Sequence, residues 1–234
     1  MKIAILQHTT DSKPYFTTTW LEHNNLPYRL VQTFTGEPLP AAHEVDWLIA
    51  LGGSMNIDDE KTFPFLRDEK KLVEEILKAE KTYLGICLGG QMLARVLGAE
   101  VKKHSEWEVG WHPVQIENKI LGLSKRPERE EIFVMQYHQD TFALPKGAIS
   151  FAKNSITANQ GFIANNGNAV GTQFHPEANE SWVYDCENDE FPVGKYVQNY
   201  QEMVEGLKHL PKQSAWYSDV LSHLAALTKS RVQR

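Results

Sequence analysis

Three side chains of this sequence stand in contexts suited to acyl transfer: a thiol, an imidazole and a carboxylate. The thiol is Cys87, inside Gly85-Ile86-Cys87-Leu88-Gly89. A short apolar run, Thr82–Ile86, leads into it and reads as a strand. Leu88, Met92 and Val96, with Leu93 and Leu97 beside them, mark one face of a following helix, and Gly98 stands at its C-terminal cap. A strand, a sharp turn bearing a nucleophile and then a helix form the nucleophile-elbow pattern, here with cysteine. The glycines two before and two after Cys87 let the backbone turn tightly and leave the thiol facing outward. At a helix N-terminus, unpaired N–H groups and the helix dipole favour negative charge, which raises the reactive thiolate fraction.

A cysteine nucleophile needs a base that takes its proton and returns it to the leaving group. Among nine histidines, His175 has the context. It ends the apolar run Asn168–His175, Pro176 stops the strand, and Glu177 follows where a carboxylate can orient the imidazole. Acyl transfer also builds an oxyanion, which paired backbone N–H groups stabilise. Leu88, just after the nucleophile, supplies one by geometry. Gly53, in the Gly52-Gly53 loop after the run Val45–Leu51, is the expected second donor.

These pieces require strands that end at one edge, with helices between them. Lys2–Gln7, Pro27–Val31, Val45–Leu51 and Thr82–Ile86 read as short strands. Helices are expected near Thr17–Asn24 and over Leu66–Lys81. In the second, Leu72, Val73, Ile76 and Leu77 mark the core face, Asp58 and Asp59 offer caps upstream, and Asp68 and Glu69 sit early for the dipole. This alternation predicts an open, mostly parallel α/β sheet with helices on both faces. After Gly98 the runs Glu100–His104, Gly110–Glu117, Glu131–His138, Ala148–Ala158, Gly161–Asn165 and Asn168–His175 predict antiparallel edge strands, with Asn166-Gly167 as a type I′ hairpin signal. Gly194–Leu210 and Ser214–Arg234 read as helices separated by Pro211.

The chain has 234 residues, 41% hydrophobic and 23% charged, with net charge −6 and no basic stripe. It is expected to form one domain over 1–234, with 181–234 as a helical C-terminal extension, and to have neither nucleic acid nor membrane as a partner. The two cysteines lack zinc or CxxC spacing, so neither a metal nor a cofactor is expected. The short N-terminal apolar run does not make a signal peptide, and a reducing cytoplasm is the expected compartment.

Gly85-Ile86-Cys87-Leu88-Gly89-Gly90-Gln91, the Gly52-Gly53 loop and His175-Pro176-Glu177 closely resemble the class I glutamine amidotransferase family in order and spacing, over about residues 1–180. The resemblance implies a flavodoxin-like sheet and a Cys87–His175–Glu177 triad. It also implies Gln91 as a contact for bound glutamine, and the segment holding Gln136 and Tyr137 as a source of backbone contacts to the substrate's amino-acid end. Glu108-Val109-Gly110-Trp111-His112-Pro113 further resembles stand-alone members likened to the glutaminase part of GMP synthase. Position 90 is glycine where many members carry a bulkier residue.

The expected reaction is cysteine-dependent hydrolysis of the glutamine side-chain amide through a γ-glutamyl thioester. The sequence carries neither an SGGxDS-type nucleotide loop nor a P-loop, so released ammonia is expected to pass to a separate synthase subunit. One alternative keeps the triad and makes the chain a γ-glutamyl peptidase acting on glutathione-like compounds. Another, of a different class, is a non-catalytic binding or regulatory module on the same fold.

Overall fold

The computed structural model describes residues 1–233. Its first half runs β1 (Ile3–Gln7), α1 (Tyr15–His23), β2 (Tyr28–Gln32), β3 (Trp47–Ala50), α2 (Phe65–Lys78), β4 (Thr82–Ile86) and α3 (Leu88–Val96). The side-chain alternation of a strand decides how these layers stack. Ile3 and Ile5 of β1, Trp47 and Ile49 of β3, and Leu84 and Ile86 of β4 enter one core cluster with Trp20 and Leu21 of α1. The residues between them, Ala4, Leu6, Leu48, Ala50 and Tyr83, enter a second cluster with Val73 and Ile76 of α2 and Met92 and Leu93 of α3. The sheet is therefore apolar on both faces and covered by helices on both, as a parallel sheet requires.

The second half runs β5 (Val101–Glu117), β6 (Arg129–Phe142), β7 (Ile149–Lys153), β8 (Gly161–Ala164), β9 (Ala169–Thr172), α4 (Glu180–Asp185), β10 (Tyr196–Val197), α5 (Tyr200–Glu205) and α6 (Leu210–Val232). Among the described residues ten strands join one sheet in the order β10-β5-β7-β8-β9-β4-β3-β1-β2, with β6 paired to β5. The strands from β2 to β9 are parallel, and β8, β7, β5 and β6 continue the sheet antiparallel. The elbow strand β4 is thus central, between β3 and β9. That places the ends of β3, β4 and β9 side by side.

Several expected elements differ. The expected runs Glu100–His104 and Gly110–Glu117 form one strand, β5, because β6 pairs on both sides of an irregularity between Lys103 and Glu108. Asp58 and Asp59 do not cap α2, which starts after Pro64; Asp58 instead pairs with Arg95 and Lys70. The β8–β9 hairpin is not a two-residue type I′ turn. Ala164 pairs with Ala169 across a four-residue loop in which Asn165, Asn166 and Gly167 all have positive φ. Pro211 does not separate two helices but lies in the first turn of α6, where its missing N–H is no loss. Upstream of it, Gln198 bonds the backbone N–H and C=O of Trp111 and keeps Tyr196–Val197 extended beside β5; Asn199 then caps the short α5.

The residues after 180 do two things. Trp216, Tyr217, Val220, Leu221 and Leu224 of α6 complete the core cluster on the β1–β3–β4 face. Trp182, Val183, Cys186 and Met203 pack with Trp111 and Met135 in a third cluster over β5 and β6. No described helix is long and apolar enough to cross a membrane.

Candidate active site

Cys87 sits between the last residue of β4 and the first of α3, with φ 51° and ψ −105°. A non-glycine residue in the positive-φ region is strained, and the surroundings hold it there. Its N–H donates to Thr172 O of β9 at 2.8 Å, and its carbonyl accepts from Gln91 N–H at 2.9 Å. The glycines make the packing possible. A Cβ on Gly85 would lie 2.2 Å from Gly89 O, on Gly89 2.2 Å from Ala50 O, and on Gly90 2.4 Å from Thr172 O. All three meet backbone that cannot yield, so α3 closes onto β3, β4 and β9 only without side chains here. Gly90 faces the backbone of β9, and it is absent from the cleft lining. Gly98 has φ 83° just past the end of α3, as a helix-ending glycine should.

The chain leaves β9 at Thr172, three residues before His175, so the expected strand Asn168–His175 is cut short at its end. The cause is a change of partners: pairing with β4 ends at Ile86 opposite Thr172, Gln173 N–H still follows the β8 side to Gln160 O, and His175 N–H donates to Met135 O of β6 at 2.8 Å. This turn swings His175 over the elbow. Its Nδ1 lies 2.8 Å from Glu177 Oε1, which leaves Nε2 for the thiol of Cys87; both residues flank Gly52. Trp182 backs the imidazole at 5.8 Å between ring centroids. Burial works against a charged ring, but the carboxylate of Glu177 and the sulfur of Cys87 outweigh it and raise the His175 pKa to about 10.

Gly52 and Gly53 follow β3. Gly89 N–H donates to Leu51 O at 3.1 Å, tying this loop to the start of α3. A Cβ on Gly52 would lie 2.8 Å from His175 Cε1 and 3.5 Å from Cys87 Cβ; one on Gly53 would lie 2.8 Å from Leu88 Cδ2. Gly52 therefore leaves room for the imidazole, and Gly53 lies against Leu88.

These groups open into a cleft of about 930 Å³ whose lining includes Gly53, Cys87, Gln91, Tyr137, His175 and Glu177. Gln91 Nε2 donates to Asp140 O and to Gln173 Oε1, both at 3.3 Å. Gln136 does not reach the cleft. Its side chain is fully buried and donates to Gln160 Oε1 at 3.0 Å. His138 does border the cleft, but burial foremost and then His175 push its pKa down to about 3, so it is neutral. Sequence reasoning missed Gln173, whose Nε2 lies 3.7 Å from Cys87 Sγ. The available signal was a long polar residue two positions before His175, on the same face of the expected strand Asn168–His175. It also missed the outer wall of Trp182, Asp185, Cys186, Asp189 and Glu190.

The profile of the family described as "Glutamine amidotransferase class-I" matches residues 17–182. The chain belongs to this family. Among curated relatives, one subunit of the glutamine-hydrolysing GMP synthase of Sulfurisphaera tokodaii is 34% identical over 145 residues, covering 60% of this chain and 72% of that one. The GMP synthase of Lactococcus lactis is 31% identical over 137 residues, 57% of this chain but 25% of the relative. A solved glutamine amidotransferase from Thermotoga maritima superposes with a TM-score of 0.82 at 30% identity, covering 96% of this chain and 97% of the other. A second, from Methylobacillus flagellatus, has a TM-score of 0.87 at 23% identity over 96% of this chain and 94% of its own, and that likeness concerns the fold.

Proposed function

We propose that this class I amidotransferase hydrolyses the side-chain amide of glutamine, with Cys87 as nucleophile, His175 as general acid and base, and Glu177 as the group that orients His175. One observation carries the reading: a cysteine held at positive φ on a helix N-terminus shares its cleft with a histidine whose Nδ1 is 2.8 Å from a buried carboxylate. The raised His175 pKa supports a resting imidazolium.

The thiolate attacks the γ-carbonyl carbon, and the carbonyl electrons move to oxygen. N–H groups of Gly53 and Leu88 hold that oxyanion; each such donor is worth on the order of 3 kcal/mol. The oxyanion collapses, the C–N bond breaks, and His175 Nε2 gives its proton to the departing nitrogen as ammonia leaves. A water then attacks the thioester while His175 takes its proton. The second oxyanion expels the thiolate, releasing glutamate and restoring the imidazolium–thiolate pair. Gln91 and Tyr137, both on the cleft, are the proposed substrate contacts; Gln136 serves only through its backbone, its side chain being turned inward. Ammonia passes to a separate amination protein. The relatives named as one subunit of a glutamine-hydrolysing GMP synthase support this step. The C-terminal segment 181–234 is read as part of the same single domain, since α6 shares its core.

A second reading has one observation in its favour. A cleft of about 930 Å³ lies at the upper end of the range that takes drug-sized ligands, so γ-glutamyl peptides fit as well as glutamine. Glutamate release from glutamine and from a γ-glutamyl dipeptide, measured side by side for wild type and Cys87→Ala, tests both. Turnover of either that disappears in C87A supports the cysteine mechanism. Full turnover in C87A contradicts it, and no turnover of any γ-glutamyl compound favours a binding module.

A further inference from the structure

The Gly52–Gly53 peptide is gripped from behind. His8 follows β1, which lies beside β3 in the sheet with Leu6 level with Ala50. The His8 ring is wholly buried, with Nδ1 3.0 Å from Gly52 O and Nε2 2.9 Å from Glu69 Oε2. Phe65 lies nearly parallel to the ring, at 6.1 Å and 16°. Glu69 sits early in α2, where the helix dipole favours an acid, yet it is as buried as His8. Its second oxygen, Oε1, has no hydrogen-bond partner among the described residues, so the carboxyl group is committed to His8.

Counting donors fixes the protons. A carbonyl oxygen only accepts, and so does an ionised carboxylate. An imidazole placed between them must carry hydrogen on both nitrogens, or else share the second hydrogen with a carboxylic acid. In either case Nδ1–H donates to Gly52 O. The His8 pKa is raised accordingly: burial opposes the charge, and Glu69 overcomes it.

A trans peptide is planar, with its C=O and the next N–H pointing in opposite directions. Holding Gly52 C=O toward His8 therefore turns Gly53 N–H away from His8. Gly53 lines the cleft with Cys87 and packs against Leu88, the two elbow residues beside which an oxyanion would form. A peptide between two glycines can flip at little steric cost, and a flipped one would offer a carbonyl oxygen to a developing negative charge.

We propose that His8, anchored by Glu69, locks the Gly52–Gly53 peptide in its oxyanion-binding orientation and is a positioning residue for the transition state. The proposal rests on the γ-glutamyl amide hydrolase reading. Because the oxyanion exists only during reaction, the lock acts on kcat and not on KM.

Three substitutions separate this role from mere packing. His8→Phe keeps a buried ring and supplies no donor. His8→Asn puts an amide N–H where Nδ1 stood, and His8→Gln puts one where Nε2 stood. The expected kcat loss for H8F is on the order of 10- to 100-fold with KM within about threefold, less than outright loss of an oxyanion donor. H8N is expected to exceed H8Q by about tenfold in kcat, since only the former keeps the bond to Gly52. Iodoacetamide alkylation of Cys87, read on its peptide by mass spectrometry, builds no oxyanion and should proceed within about twofold of wild type in all three. If H8F does not fold, H8N against H8Q still decides. Equal kcat in H8N and H8Q, or a loss of kcat matched by an equal loss of alkylation rate, overturns the lock. Inactive wild type would overturn the hydrolase reading and the lock together; active wild type with indifferent His8 variants overturns the lock alone.

Discussion

Cys87 and Cys186 border the same cleft, both are buried, and both are unpaired thiols. Their surroundings have nothing else in common. Cys87 starts a helix, on its positive end, beside an imidazole held above its usual pKa. Cys186 ends a helix, on its negative end, and donates to Trp182 O at 3.3 Å. Burial and the nearby Asp189 and Asp185 push its thiol up to about 12. Backbone position and neighbouring charge, not residue type, make one sulfur a nucleophile in our account and leave the other a packing group.

The largest effect expected from breaking this contrast is on turnover. Cys87→Ala should lower kcat on the order of 10⁴-fold or more, while Cys186→Ala stays within about twofold. Steady-state glutamate release checks both. Next comes Glu177→Gln, which preserves shape but not charge. It should cost on the order of 10³-fold in kcat, because the imidazolium loses its partner and the ring its preferred tautomer.

A smaller loss is expected from Gly52→Ala, whose Cβ would sit 2.8 Å from His175 Cε1. Displacing the ring by a fraction of an ångström should cost about 10- to 100-fold in kcat. A crystal structure of the variant should show His175 shifted relative to Cys87; an unmoved ring with full activity would show that the glycine serves another purpose.

The smallest effect is on stability. Folded His175 keeps its proton to about pH 10, whereas an ordinary histidine releases it near 6.5. The stabilisation from its partners is therefore complete below pH 6.5 and is lost as pH rises toward 10. The Tm difference between wild type and His175→Gln should be greatest near pH 6 and shrink toward pH 10, by calorimetry across that range. A difference that grows with pH would mean the imidazole is not held in its charged form.

The two cysteines also show how far the chain could be read before folding. The strand Thr82–Ile86 and the helix after it were legible because apolar spacing and flanking glycines are local signals. So was the pairing of His175 with Glu177, two residues apart. What stayed hidden depends on partners distant in sequence. Gln173 meets Cys87 across 86 residues, and His8 meets Glu69 across 61. Nothing near Glu69 marks it as buried, since it lies in a charged stretch of α2. Gln136 and Tyr137 were expected at the substrate from the resemblance alone, which could not say that alternate strand residues face opposite ways and turn the Gln136 side chain inward. Asp58, placed well for a cap, was claimed by Arg95 instead.

The most direct measurement of the central claim is the covalent intermediate itself. Wild-type protein is mixed with glutamine or a γ-glutamyl amide, quenched in acid within a turnover, digested and examined by mass spectrometry. The expected result is one glutamyl group on the peptide carrying Cys87 and none on the peptide carrying Cys186. Turnover with no adduct on Cys87, or an adduct on Cys186 that survives in C87A, would contradict it.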